Sequence, residues 1–265
     1  MPRLPMPRKA LVLSAVLLAA MLAVAVASTL DVPADQSATG SPPLAVAPFL
    51  PTHRPSPAPK PPPRQGGFTV EQVKSGRNVA LHAKPDGPVV ARVGSRTQFG
   101  SPQTLAVAAR DGGWVGVINE DVSNGGIAWV KAQTQGLEPK LTRVALRVNL
   151  ERKKLELIDG NRVERSMRIG VGRPGSPTPK GRFSITDKLP GTEYGPAYGC
   201  CILALSGRQP NIPPGWQGGN RLAIHGTDNP STIGRQSSLG CLHADARDLK
   251  LLMRRVSLGT PVFIH

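Results

Sequence analysis

The chain has 265 residues, a formal charge of +16 and only 4% aromatic residues, a length that accommodates one or two folded domains with extensions. From residue 65 onward 27 Lys and Arg face 15 Asp and Glu, so the positive charge belongs to the folded part. Basic proteins attract polyanions, but zinc-finger spacing, basic recognition helices and alternating basic and aromatic residues are all missing. These features exclude nucleic acid as a partner. They leave open anionic wall polymers, lipid head groups or a basic surface without a specific ligand.

Residues 1–30 have the pattern of an export segment. Basic residues precede an apolar run from Ala10 to Ala27, and Ala25-Val26-Ala27 offers a small-x-small cleavage site. The run is also just long enough to span a bilayer. We therefore expect an exported protein of the cell envelope. Its N-terminal segment is either a cleaved signal peptide or a retained anchor in the cytoplasmic membrane.

Residues 31–66 form a proline-rich linker. The stretch 51–63 contains seven prolines, which cannot donate backbone hydrogen bonds to a helix or a sheet. Such a segment favours extended polyproline-II conformations and acts as a semi-rigid spacer. We expect it to separate the membrane or the cleavage site from the folded residues that follow.

Residues 67–136 are predicted to form a small β module. Turn signals containing Asp-Gly, Gly-Gly or Asn-Gly separate five short apolar runs at roughly ten-residue spacing, which is typical of a small barrel. The runs are Val79–Leu81, Val89–Val93, Leu105–Ala108, Trp114–Val117 and Ile127–Val130. This stretch resembles the SH3-like modules that accompany bacterial wall enzymes. It contains no catalytic constellation, so binding or spacing is its expected role.

Residues 139–265 are predicted to form a second, mainly β domain. Apolar residues alternate with polar ones over 144–148, and Asp159-Gly160 is a hairpin turn signal between two strands. A helix is expected from Asp245 to about Val256 because its apolar residues recur at helical spacing. A last strand covers 261–264.

The chemistry is concentrated in two short segments of this second domain. Cys241 follows Gly240 a few residues before the expected helix, where backbone amides and the helix dipole would lower the thiol pKa. His225 ends the apolar strand 221–224 and is a candidate base for that thiol. The amides from Leu239 to Cys241 are candidates for an oxyanion hole. The alternative is an inert buried cysteine beside a structural histidine.

The cysteine count bears on the same question. Three cysteines, an odd number, indicate a free thiol in an exported protein. Cys200 and Cys201 are adjacent, and a bridge between neighbours is uncommon. A disulfide from Cys241 to either of them would abolish the proposed chemistry.

These segments resemble the signature of the L,D-transpeptidases, the YkuD-domain family. The matching residues are His225-Gly226, Ser238, Gly240 and Cys241, the upstream element Thr178–Phe183 and the closing stretch Gly259–Val262. The resemblance covers nearly all of 139–265. It implies a β-sandwich catalytic domain with a helix after the nucleophile, Cys241 as nucleophile and His225 as general base.

Two residues depart from the family pattern. Leu239 replaces the usual His before the Gly-Cys pair, and His243 replaces the usual Arg or Asn after it. His243 either restores a polar group at the site or is simply solvated. Thr227 and Ser238 either orient His225 or substrate by hydrogen bonding, or are turn residues. Tyr194 lies where the family has a lid or substrate loop, and the alternative for it is an ordinary surface loop.

The resemblance implies a peptidoglycan L,D-transpeptidase that needs neither metal nor cofactor. Its substrates would be peptidoglycan stem peptides, and its product a cross-link made by release of D-Ala from a tetrapeptide stem. The alternatives are a weakened homologue that only binds wall, an L,D-carboxypeptidase that uses water as acceptor, and a basic binder of anionic wall polymers. Trp216 could line the groove or cover the core, and we expect it to cover the core.

Overall fold

A computed structural model describes residues 67–265, which belong to one compact unit of the chain. The predicted signal or anchor segment (1–30) and the proline-rich linker (31–66) lie outside the described residues. Within 67–265 no helix combines the length and apolar character needed to cross a bilayer. The described part is mainly β, with one α-helix, which confirms the predicted fold class.

Residues 68–142 form a seven-stranded sheet with the order β3-β2-β6-β5-β4-β1-β7. Its strands are β1 (Phe68–Val73), β2 (Val79–His82), β3 (Val89–Val93), β4 (Thr104–Asp111), β5 (Trp114–Ile118), β6 (Ala128–Lys131) and β7 (Leu137–Thr142). The five predicted runs correspond to β2–β6. Alternating valines and leucines of these strands fill a core of their own. The SH3-like assignment of this sheet stays a prediction.

Residues 144–264 form a nine-stranded sheet with the order β14-β10-β15-β13-β12-β11-β16-β8-β9. Its strands are β8 (Val144–Asn149), β9 (Lys154–Asp159), β10 (Arg162–Gly172), β11 (Gly181–Pro190), β12 (Cys201–Arg208), β13 (Arg221–His225), β14 (Gln236–Ser238), β15 (Leu242–Ala244) and β16 (Pro261–Ile264). The edge strand β9 also pairs with β10, so the sheet closes around a second core. The predicted hairpin at Asp159-Gly160 joins β9 to β10.

The predicted helix is α1 (Ala246–Arg255), the one α-helix within residues 67–265. Asp245 caps its N-terminus by accepting a hydrogen bond from the Arg247 amide at 2.8 Å. Leu249 and Leu252 are fully buried in the core of the nine-stranded sheet. The helix therefore covers the sheet close to the candidate catalytic segment.

Polar contacts join the two sheets. Asn124 and the backbone of Arg208 form a reciprocal pair: the Asn124 amide donates to the Arg208 carbonyl at 2.6 Å, and the Arg208 amide donates to Asn124 Oδ1 at 2.8 Å. The Arg182 guanidinium donates to the Val107 carbonyl at 2.8 Å. The Thr97 hydroxyl donates to the buried Asp187 carboxylate. The first sheet is thereby fixed against the sheet that carries the candidate catalytic residues.

Replacing Asn124 by Ala removes both bonds of the reciprocal pair and leaves two backbone groups without their partner. We expect the free energy of unfolding to fall by about 1–2 kcal/mol in chemical denaturation. Ser123→Ala, one residue earlier and exposed, is the matched control and should change stability by less than about 0.5 kcal/mol. Equal effects of the two substitutions would contradict this role of Asn124.

Candidate active site

The parallel pairing of β13 with β15 brings the two candidate catalytic residues to one face of the sheet. Ile224 pairs with Leu242 and both point into the core, whereas His225 pairs with His243 on the opposite face. Side chains alternate along a strand, so Cys241 lies on the same face as His243 and His225. Cys241 lies two positions before His243, the residue directly opposite His225. The Cα atoms of Cys241 and His225 are therefore roughly 8 Å apart.

The tautomer of His225 follows from its hydrogen bond. Its Nδ1 lies 2.6 Å from the carbonyl oxygen of Gly226, which can only accept, so Nδ1 carries the proton. The Nε2 lone pair is then available as a base. Burial, and to a smaller degree the neighbouring His243, lowers the pKa of His225 to about 4, and the bond to Gly226 opposes the shift. The imidazole is therefore neutral at physiological pH.

The Cys241 thiol is protonated in the resting structure. Burial raises its pKa to about 11, against a smaller lowering effect of a backbone hydrogen bond with Ala223. Its Sγ donates to the Arg221 carbonyl at 3.8 Å and makes no hydrogen bond to His225, both residues being described. The expectation of a lowered thiol pKa is wrong for this state, because β15 separates the thiol from α1 and burial dominates. The residue as a whole is partly exposed, whereas its thiol group is buried.

The loop before Cys241 is fixed by hydrogen bonds. The Ser238 hydroxyl donates to the Cys241 carbonyl at 2.6 Å and accepts from the Gly240 amide at 3.1 Å. The buried Thr178 hydroxyl donates to the Gly240 carbonyl at 2.8 Å. Of the amides expected to form an oxyanion hole, that of Gly240 is therefore already engaged. The Ser238 side chain therefore fixes this turn and does not orient His225.

Gln209 is a supporting residue that the sequence did not indicate. Its side-chain amide donates to the carbonyls of Pro177 at 2.9 Å and Leu239 at 3.2 Å, which ties the loop to the upstream Thr178 element. Gly240 has a φ of +117°, and a Cβ there would lie 2.1 Å from Gln209 Nε2. The glycine is therefore required both for the backbone conformation and for this close approach.

Replacing Gly240 by Ala should force the loop and Gln209 apart. We expect a loss of stability of about 1–3 kcal/mol, and a fall in the catalytic rate, because Cys241 is the next residue. Gly175→Ala, which has open space around its Cβ position, is the control and should leave stability within about 0.5 kcal/mol. Denaturant unfolding of both variants measures the difference. A Gly240→Ala variant as stable as Gly175→Ala would refute this requirement.

His243 occupies a defined position beside the base. Its ring lies 4.9 Å from the His225 ring, and its Nδ1 is 2.9 Å from the Thr232 hydroxyl. Burial lowers the pKa of His243, whereas the nearby Asp228 raises it. Of the two alternatives for His243, the structure favours a polar group at the site over a solvated side chain. Leu239 is half-buried, and its side chain brings no hydrogen-bonding group to the loop.

Other predicted residues lie further out. Thr227 closes a turn by exchanging hydrogen bonds with the backbone of Asn229. Tyr194 is exposed, and its ring contacts Tyr198 at 6.2 Å. Trp216 is 45% exposed, so its expected core position is wrong; its indole instead donates to Gly219 within a surface turn.

The segment from Tyr198 to Cys201 packs directly on the His225-Gly226 pair. The Gly226 amide donates to the Tyr198 carbonyl at 2.9 Å and more weakly to Cys201, and the Tyr198 ring lies 4.9 Å from His225. Cys200 and Cys201 are joined by a disulfide, which leaves Cys241 free. Tyr198, a neighbour of the base, was not among the predicted site residues.

The raised thiol pKa is testable by alkylation. Without reductant we expect iodoacetamide to label Cys241 alone, and its rate to rise about tenfold per pH unit from pH 7 to beyond pH 9, because only the thiolate reacts. Glutathione is the reference thiol, and Cys241→Ala should remain unlabelled. A rate independent of pH above pH 7 would contradict the neutral thiol, because it would mean a preformed thiolate.

No group of His, Cys, Asp or Glu side chains within residues 67–265 is arranged to hold a metal ion.

The comparisons with known proteins agree with the predicted resemblance. The family model of the L,D-transpeptidase catalytic domain, YkuD, matches residues 143–264. This part of the chain, the nine-stranded sheet with its helix, is therefore similar to the YkuD L,D-transpeptidase catalytic domain.

Two curated relatives show the same similarity. The chain is 33% identical over 117 residues to "Putative L,D-transpeptidase YkuD" of Bacillus licheniformis and 34% identical over 118 residues to the protein of the same name in Bacillus subtilis. Each alignment covers 44% of this chain. The chain spans 62% and 63% of the length of these relatives, so whole-protein activity is a matter for proposal.

Solved structures of the same class are more distant. An L,D-transpeptidase from Mycobacterium smegmatis aligns with 16% identity and a TM-score of 0.38, over 61% of this chain and 82% of that one. L,D-transpeptidase 3 from Mycobacterium tuberculosis, solved with a faropenem-derived adduct, aligns with 16% identity and a TM-score of 0.36, over 52% and 73%. At these values the likeness assigns no function.

Proposed function

We propose that the protein is a peptidoglycan L,D-transpeptidase of the cell envelope, with Cys241 as nucleophile and His225 as general base. The observation that carries the proposal is the hydrogen bond of His225 Nδ1 to the Gly226 carbonyl. It leaves Nε2 as the basic nitrogen on the sheet face that also carries Cys241. The match of residues 143–264 to the YkuD catalytic-domain model supports peptidoglycan stem peptides as the substrate class.

The first step is acylation. The Cys241 thiol leaves the Arg221 carbonyl, and its sulfur attacks the carbonyl carbon that precedes the terminal D-Ala of a tetrapeptide stem. His225 Nε2 takes the thiol proton as the C–S bond forms. The C–N bond to D-Ala then breaks, and His225 returns the proton to the departing amine.

The second step transfers the acyl group. An amine of a neighbouring stem attacks the thioester carbon, and His225 Nε2 removes a proton from that amine. The C–S bond breaks, the sulfur leaves as a thiolate, and the proton passes from His225 back to it. The free thiol and the neutral imidazole are regenerated, so no external oxidant or reductant is needed.

The neutral resting pair fits a reaction triggered by substrate. A thiol with a pKa of about 11 beside an imidazole with a pKa of about 4 forms little ion pair on its own. Proton transfer must therefore accompany attack on the substrate, where developing negative charge moves from sulfur to the carbonyl oxygen. A protein of this kind resists oxidation and alkylation of its nucleophile until substrate binds.

Leu239 supports one second candidate, a weakened homologue that binds wall without turning it over. Leu239 removes an imidazole that the family places two residues before the nucleophile. His243, 4.9 Å from His225, places another imidazole two residues after it. The active enzyme is therefore the stronger proposal.

Product analysis tests the proposed reaction. Tetrapeptide muropeptides incubated with the wild-type chain should give cross-linked dimers and free D-Ala, separated by chromatography and identified by mass. Cys241→Ala should give neither, a loss of at least about a thousandfold, because the acyl enzyme cannot form. His225→Gln keeps the ring's approximate size without its base and should reduce the rate by about 10²–10⁴-fold.

The same digest separates the alternatives. Tripeptide and D-Ala without dimers would reassign the protein as an L,D-carboxypeptidase. Unchanged substrate with a folded wild-type chain, as judged by circular dichroism, would leave a wall-binding homologue. Activity that survives in Cys241→Ala would exclude the proposed mechanism.

A further inference from the structure

A cavity of about 200 Å³ lies between the two sheets, at the edge of the face that carries the candidate catalytic pair. Charged residues dominate its lining: Arg92, Arg96, Arg208, Arg221, Glu120 and Asp121. We call this cavity the arginine cleft. Four cations against two carboxylates give it a net positive charge.

Arg221 links the arginine cleft to the site. Arg221 begins β13 and lies on the same face as Ala223 and His225, because side chains alternate along the strand. Ala204 pairs with Ala223 on that face, and both are small. The Arg221 carbonyl lies 3.8 Å from the Cys241 sulfur. One residue therefore contributes its side chain to the cleft and its backbone to the nucleophile.

The Arg221 guanidinium has unused donors. Its side chain is only 10% exposed and its Nε makes no hydrogen bond; its Nη2 forms a long ion pair with Glu120 Oε1 at 3.9 Å, beyond hydrogen-bond length. Its Nη1 is satisfied by the Leu205 carbonyl at 3.1 Å. The Nε and Nη2 edge of a guanidinium is one that binds a carboxylate with two parallel hydrogen bonds. Burial also lowers the pKa of Arg221, which marks a cation that lacks full compensation.

Aromatic rings connect the cleft to the base. The Phe99 ring lies under the Arg221 guanidinium, with its centroid 5.9 Å from Arg221 Cζ. The centroids of the Phe99 and Tyr194 rings are 6.3 Å apart. The ring centroids of Tyr194 and Tyr198 are 6.2 Å apart, and those of Tyr198 and His225 are 4.9 Å apart. Phe99 and Tyr194 are both exposed. A peptide lying along these rings would reach the catalytic pair and the cleft together.

We propose that the arginine cleft binds a free carboxylate of the peptide acyl donor and so selects donors by their charge. This inference rests on the proposed function and deepens it. The ligand is a carboxylate rather than a polyphosphate chain, because Glu120 and Asp121 line the same small cavity and repel ligands of higher negative charge. A single carboxylate also matches the one guanidinium edge that has unused donors.

Binding to the inactive Cys241→Ala chain tests the proposal without turnover. Isothermal titration compares a tetrapeptide stem with the same peptide amidated at every carboxyl except that of the terminal D-Ala. We expect the amidated peptide to bind about tenfold more weakly, because it lacks the carboxylate that pairs with the cleft.

Exposed arginines provide a matched pair of variants in the Cys241→Ala background. Arg92→Gln removes one charge from the cleft and should weaken binding of the free peptide about threefold, with no effect on the amidated one. Arg77→Gln removes the same charge from an exposed position outside the cleft and should have no effect. Glu120→Gln preserves the side-chain shape and should strengthen binding of the free peptide about threefold.

The outcomes are distinguishable from failure of the proposed function. Equal affinity for both peptides, or equal effects of Arg92→Gln and Arg77→Gln, would overturn the carboxylate subsite while muropeptide cross-linking stands. Displacement of the free peptide by oligomeric glycerol phosphate, with no preference for the free over the amidated peptide, would assign the cleft to wall polymers instead. Absence of both peptide binding and turnover by a folded chain would count against the proposed function itself.

Discussion

The parallel pairing of β13 with β15 is the constraint on which the whole site depends. The pairing sets His225 beside His243 and carries Cys241 to the same face, while Ile224 and Leu242 remain in the core. A shift of one residue in this register would turn the histidine into the core and the leucine outward. Exposing the core leucine and burying the histidine in its place would cost much free energy, so the reactive groups stay on the open face of the sheet.

Support for this pairing comes from residues that lie far away in the chain. Thr178 and Gln209 hold the loop before the nucleophile, and the hydrogen bond from Thr178 to Gly240 spans 62 residues. The Tyr198–Cys201 segment contacts Gly226 from the other side. The catalytic residues thus occupy a rigid frame in which the His225 tautomer is fixed before any substrate arrives.

Much of this arrangement follows from local sequence patterns, and the rest depends on contacts between segments that are distant in the chain. Residue alternation and turn signals indicate most strands, the Asp159-Gly160 hairpin and α1, because these depend on neighbours in the chain. The spacing of His225, Gly240 and Cys241 indicates the candidate catalytic pair. The partnership of Gln209 with the loop has no local signal, since it requires a fold that brings distant segments together.

The thiol pKa illustrates the same limit. The sequence places Cys241 close to a glycine and a helix start, both of which favour a thiolate, but the folded chain inserts β15 before α1 and buries the sulfur. Burial is a property of the assembled sheet, so the local sequence predicts the wrong direction for the shift of the Cys241 pKa. The exposure of Trp216 has the same origin, because an aromatic residue in a Gly- and Pro-rich turn has no regular strand to carry it inward.

The central claim is that Cys241 carries the acyl group during the reaction. Incubation of the wild-type chain with tetrapeptide stem and no amine acceptor, followed by rapid acid quench and proteolytic mapping by mass spectrometry, tests it most directly. If Cys241 is the nucleophile, we expect a tripeptide acyl group attached as a hydroxylamine-labile thioester on the peptide that contains Cys241. We expect less of this acyl group in the His225→Gln variant. An acyl group on any other residue, or none on a chain that turns over the stem, would contradict the account.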